Sequence, residues 1–124
     1  MIEKRTALSA FVRGFAHAFR GIGVSLRTQR NLRIHAVATL VASGLSFWLD
    51  IATWEWCAVL LACGAVWTAE LLNTAIERLA DRVTLEHEDI IRDVKDAAAG
   101  AVLIMSIAAA ALGMIIFLPK LLQL

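Results

Sequence analysis

Glu70, Asn73, Glu77 and Asp81 fall at i, i+3, i+7 and i+11 in the run Trp67-Thr-Ala-Glu-Leu-Leu-Asn-Thr-Ala-Ile-Glu-Arg-Leu-Ala-Asp81. At about 100° per residue this spacing puts all four on one helical stripe. Leu71, Leu72, Ala75, Ile76, Leu79 and Ala80 around them are apolar, so the helix carries acids within hydrophobic surroundings. Such acids are costly, and they mark function. A carboxylate just inside an apolar boundary is suited to take a proton from a hydroxyl, and Glu70 is the candidate. Glu77, one heptad on, lies toward water and suits Mg2+, which binds one or two carboxylates together with substrate phosphates. Lys95 offers a cation to a phosphate chain, with Asp96 beside it expected to orient it. Oil-side base, water-side metal ligand and cationic clamp together describe phosphoryl transfer from ATP to an alcohol whose body lies in a membrane.

Each residue also has a plainer reading. Glu70 alone would equally serve to pair with an Arg or to line a proton or ion path. Asp81 reads as an interfacial partner for Arg or Lys, and Asn73 could join helices by hydrogen bonding. Glu86, His87, Glu88 and Asp89 read as a solvated loop, with His87 a minor candidate for contacting nucleotide. No Gly-rich phosphate loop is present, so a nucleotide site here must be of another kind.

The elements that must position these groups follow from composition. The chain has 124 residues, enough for one domain, and 60% of them are hydrophobic, with a mean hydropathy of +0.72. A soluble domain would carry far more charge. Between Ile34 and Ala69 there is no Lys or Arg, and the only acids are Asp50 and Glu55. The runs on either side approach the roughly 20 residues that cross a bilayer core of about 30 Å. The expected class is an all-α membrane protein, a single membrane domain over 1–124.

In chain order, Leu8, Val12, Phe15, Phe19, Ile22 and Leu26 lie within about 40° of one direction, with Arg13, His17, Arg20 and Arg27 on the other side. This predicts an amphipathic surface helix over about 7–30 that also packs on the spans. Spans are expected at about 32–50, 55–76 and 97–118, joined by a tight turn at Asp50 to Glu55 and a loop at about 82–89. Trp48, Trp54 and Trp56 would form a belt at one face. Glu70 then lies about one turn inside the hydrocarbon edge. Ala97-Ala-Ala-Gly-Ala and Ala108-Ala-Ala-Ala allow close helix approach, and Pro119 is expected to end the last helix. Cys57 and Cys63, six apart, read as packing residues. The charged start, Met1 to Thr6, shows no cleavage signature, so the first span is expected to stay in the membrane. Arg5, Arg13, Arg20, Arg27, Arg30 and Arg33 precede the first span, and Arg78, Arg82, Arg92 and Lys95 follow the second. The Asp50 to Glu55 turn has no basic residue, so the N-terminus and the acidic stripe are expected to face the cytoplasm.

Glu70-Leu-Leu-Asn73-Thr-Ala-Ile-Glu77 with Asp81, then Lys95-Asp96 and Ala99-Gly100-Ala-Val, resembles the small bacterial integral-membrane lipid kinases, diacylglycerol kinase and undecaprenol kinase. Arg30-Asn31-Leu-Arg33-Ile-His35 and Trp48-Leu-Asp50 extend the resemblance over nearly the whole chain. It implies a surface helix plus three transmembrane helices assembled as a homotrimer, with active sites shared between subunits in the bacterial inner (cytoplasmic) membrane. It implies an ATP- and Mg2+-dependent lipid kinase whose product is undecaprenyl phosphate or phosphatidic acid, with no nucleic-acid partner. By the same resemblance Glu70 is the general base, Glu77 a metal ligand, and Asn73 a positioning residue. Glu70, Asn73 and Trp48 are then expected at the lipid, and Glu77, Lys95, Asp96 and Gln29 at the nucleotide. Many members carry a second metal-binding Glu where this chain has Gln29, whose neutral amide oxygen holds Mg2+ less strongly. Arg30-Asn31 through His35 and the Ala-Gly-Ala-Val run look more like undecaprenol kinases, whereas Trp48-Leu-Asp50 and Asp81-Arg82 look more like diacylglycerol kinases. The alternatives are a non-catalytic subunit of the same fold that binds lipid or nucleotide, and a small proton or ion carrier built on Glu70.

Overall fold

Apolar runs with few helix breakers leave only three interruptions between residue 2 and residue 121: Gln29 alone, 49–52 and 84–88. The computed structural model describes residues 2–124, with side chains from residue 6 onward, so the side chain of Arg5 lies outside the described residues. These residues form α1 (Ile2–Thr28), α2 (Arg30–Trp48), α3 (Thr53–Val83) and α4 (Asp89–Leu121), with no strand among them. The whole stripe from Glu70 to Asp81 therefore sits on α3. Among the described residues two helices, α3 and α4, are long and apolar enough to cross a membrane. α2, which opens on Arg30, Arg33 and His35, falls short of that measure although its 19 residues extend about 28 Å.

α3 and α4 pack most extensively, α2 lies along α3 and touches α4, and α1 reaches α2 and α3. The buried cluster is small and sits at the 49–52 end, where Ile51, Val59, Ile116 and Phe117 meet Leu45, Trp56 and Leu112. A well-formed helix stop places it there. Asp50 has φ of 48°, the left-handed region, where Asp is tolerated better than most side chains. Asp50 N–H donates to the Phe47 carbonyl and Ile51 N–H to the Ser46 carbonyl, both at 3.3 Å. This is a Schellman stop, and it turns Ile51 into the core. Trp48 and Trp54 stay exposed at this end, while Trp56 meets Phe47 edge-on at 4.7 Å.

Beside the cluster Glu55 is 7% exposed, and Lys120 holds its Oε1 at 3.3 Å. That pair ties the start of α3 to the end of α4. Pro119 does not end α4, contrary to the sequence expectation: helical backbone runs to Leu121, and Leu122 N–H still reaches the Leu118 carbonyl at 3.0 Å. Proline removes its own donor, but the donors after it remain free to close the next turn.

At the other end polar ties replace a core. Residues 10–21 of α1 are exposed, including Phe11, Phe15 and Phe19, and α1 is drawn in only through its last turns, where Ser25 is buried. Arg33 Nη1 donates to the Arg27 carbonyl at 2.8 Å, which caps the end of α1. Arg78 Nη2 donates to Thr28 Oγ1 at 2.6 Å and fastens the α1–α2 junction to α3.

Two consequences are measurable. Lys120→Ala leaves a buried carboxylate oxygen without its donor and lowers stability in detergent by about 1–3 kcal/mol, read by thermal unfolding, whereas Glu55→Leu with Lys120→Leu recovers most of it. Arg78→Leu frees the junction, so trypsin cuts after Arg27 or Arg30 several-fold faster while the 49–52 end stays protected.

Candidate active site

Glu70 is 3% exposed on the face of α3 that meets α2 and α4. Its Oε1 lies 3.2 Å from Nε2 of His35, which is 23% exposed. Both residues line a cleft of about 280 Å³ with Asn31, Ala99, Val102 and Ser106. An apolar cavity of about 240 Å³, lined among others by Val59, Val66, Leu112 and Phe117, continues deeper between α2, α3 and α4, and shares His35 and Ser106 with that cleft. Glu70 thus lines the more open, more polar cleft, and His35 stands where that cleft meets the apolar one. Trp67 Nε1 donates to Thr39 Oγ1 at 2.9 Å, and that hydroxyl donates to the His35 carbonyl at 2.8 Å, so α2 and α3 are locked in register one turn deeper.

One turn toward the 84–88 end, Asn73 Nδ2 donates to Glu77 Oε1 at 3.4 Å, and Asn73 Oδ1 is buried without a partner. Asn73 borders a neighbouring cleft between α3 and α4, beside Leu72, Ile76 and Ala101, and not the cleft that holds Glu70. Gln29 is half-buried at the α1–α2 junction with no capping hydrogen bond. The Arg78–Thr28 bond joins the residue after Glu77 to the residue before Gln29, which brings the junction to this turn of α3. No cluster of three or more His, Cys, Asp or Glu exists among the described residues. The donors present are one carboxylate, an amide and an unpartnered amide oxygen. That set fits Mg2+, which keeps waters and takes oxygens from substrate phosphate, and does not fit a metal that needs an all-protein cage.

Further along, Lys95 Nζ meets Asp81 Oδ1 at 2.5 Å, joining α4 to α3. The partner of Lys95 is therefore Asp81 across the helix pair and not its neighbour Asp96, because adjacent residues on a helix point about 100° apart. The hydrogen bond to Asp81 raises the Lys95 pKa above the usual lysine value, so the ammonium persists. The stability that this pair contributes is complete below the ordinary lysine range and is lost only as pH rises through the raised value. Lys95, Asp96 and His87 line a cleft of about 220 Å³ under the 84–88 loop, with Glu88 and Arg92. Asp81 lies about 16 Å along α3 from Glu70, with Glu77 between them.

Trp48 stands apart from all of these. It caps the far end of α2, about 20 Å from His35 along the helix, and is not brought to Glu70. What the sequence reading missed is a site role for His35, which it named only within the Arg30 to His35 run of the resemblance. The available signal was an imidazole in the opening turns of a run that is otherwise uncharged from Ile34 to Leu49.

Comparisons with known proteins identify the family. The family described as prokaryotic diacylglycerol kinase matches residues 16–117. The undecaprenol kinase of Bacillus subtilis is 40% identical over 119 residues, covering 96% of this chain and 97% of the relative. The diacylglycerol kinase of a Synechocystis species is 41% identical over 115 residues, 89% of this chain and 63% of the relative. That of Escherichia coli K12 is 27% identical over 109 residues, 88% and 89% of the two chains. Matched along most of its length, the chain belongs to the prokaryotic diacylglycerol kinase family.

Proposed function

We propose that this lipid kinase phosphorylates the hydroxyl of a polyprenol, undecaprenol being the first candidate, at the cytoplasmic face of the bacterial inner membrane. The observation that carries the reading is the order of groups along α3: a buried carboxylate in a cleft that adjoins an apolar slot through His35, an acid one heptad on, and a lysine-bearing cleft at the exposed end. Glu70 takes the proton of the lipid hydroxyl. The freed oxygen forms its bond to the γ-phosphorus of ATP as the bond to the β–γ bridging oxygen breaks, and ADP leaves with that electron pair. Lys95, held by Asp81, neutralises charge on the phosphate chain, with Asp96 and His87 beside it. Glu77 would hold Mg2+, assisted by the amides of Asn73 and Gln29. When bound, the ion supplies neutralisation of the transferring phosphate. Asn73 keeps the Glu77 carboxylate oriented. Trp48, at the far end of α2, would meet the hydrocarbon chain and not the hydroxyl.

The same reading takes α2 as a third span and α1 as a helix on the membrane surface, its exposed Phe11, Phe15 and Phe19 in lipid. The basic residues before α2 and after α3 favour a cytoplasmic N-terminus and site. Exposed Leu40, Leu60, Leu61, Ile104 and Ile107 offer apolar faces to lipid and to further copies, in keeping with a homotrimer. Diacylglycerol is the second acceptor to consider, since the Synechocystis relative of similar identity is named for it.

Phosphate transfer from labelled ATP in liposomes carrying undecaprenol, diacylglycerol or ceramide gives its strongest product with undecaprenol, and Glu70→Gln lowers turnover by more than about a thousandfold with the oligomer unchanged. A strongest diacylglycerol lane would reassign the substrate, and full turnover in Glu70→Gln would remove the base. Glu77→Gln raises the Mg2+ concentration giving half-maximal rate by about tenfold or more, and Gln29→Glu lowers it, both read by metal titration of the initial rate.

A further inference from the structure

We infer that His35 is the positioning residue of the catalytic carboxylate, acting on the reaction through Glu70. The inference rests on the reading of Glu70 as the base. An ionised carboxylate that is 3% exposed needs a charge-assisted donor, or its burial costs several kcal/mol. Nε2 of His35, 3.2 Å from Oε1, is the nitrogen placed to supply it. Facing a carboxylate oxygen, Nε2 must carry hydrogen, so the imidazole is either the Nε2–H tautomer or the imidazolium. Either form holds Oε1 and leaves the second oxygen for the hydroxyl.

The choice of histidine has a chemical reason. A guanidinium or ammonium at this distance would hold the carboxylate but, being permanently charged, would make it a poor proton acceptor. A neutral N–H donor orients the group without that loss. The surroundings leave the pairing to these two residues. From α4 the cleft receives Ala99, Val102, Leu103 and Ser106, and from α2 Asn31 and Ile34, so no other titratable group lines it. The bonds from Trp67 to Thr39 and from Thr39 to the His35 carbonyl fix the α2–α3 register that sets imidazole against carboxylate.

The test compares His35→Ala, His35→Asn and Glu70→Gln in liposomes, measuring kcat, KM for ATP and the pH dependence of kcat. His35→Ala lowers kcat about 10–100-fold with KM for ATP unchanged, as expected for loss of an orienting partner. His35→Asn, whose amide N–H replaces the donor, recovers part of kcat, with a pH dependence of kcat that differs from the wild type. Turnover lost in Glu70→Gln but unchanged in rate and pH profile in His35→Ala would overturn this inference alone. Equal losses in His35→Ala and His35→Asn with the wild-type pH profile would also overturn it, leaving a packing role. Turnover surviving in Glu70→Gln would overturn both this inference and the assignment of the base.

Discussion

A carboxylate held away from water is tolerated only with a donor at hand, and the arrangement of this molecule follows from meeting that condition at Glu70. His35 meets it from α2 at 3.2 Å. For the imidazole to stand there, α2 must lie on α3 in one register, and the Trp67–Thr39 bond maintains that register at the next turn. One polar contact between two apolar helices thus decides how they align, because lipid-facing side chains give little preference for one alignment over another.

From that contact α3 serves as an axis along which chemistry is ordered by access to water. The apolar slot lies deepest, Glu70 at the next level, Glu77 and the α1–α2 junction after it, and Asp81 with Lys95 beyond them. A long helix with a heptad spacing of acids solves a matching problem. In the proposed reaction the acceptor is an alcohol that stays in oil and the donor a nucleotide that stays in water, and a rise of about 1.5 Å per residue would space the groups between them.

Stability is distributed unevenly along the same axis. Apolar burial is concentrated at the 49–52 end, around Ile51, Val59, Ile116 and Phe117, with the Glu55–Lys120 pair beside it. The site end is held by polar ties: Arg33 on the carbonyls ending α1, Arg78 on Thr28, and Lys95 on Asp81. Ties of this kind are individually weaker than core packing and open more readily. Most large apolar side chains of α1 and of the outer helix faces remain exposed, so the surroundings of the chain, lipid or further copies, are part of its physical account.

The helices and the stripe were legible in the residues because both are local. Periodicity and the lack of breakers predict a surface helix at about 7–30 and spans at about 32–50, 55–76 and 97–118, each falling within or close to one of the four observed helices, and the i, i+3, i+7, i+11 spacing dictates that Glu70, Asn73, Glu77 and Asp81 share a face. Partners across helices were not legible, since they depend on the register and rotation of packed elements that no spacing within one helix encodes. Hence Lys95 pairs with Asp81 and not with the adjacent Asp96, and Trp48 falls far from Glu70. His35 is the clearest case. The sequence supplied an imidazole near the start of an apolar run, and only the packing of α2 on α3 decided that it faces the buried acid.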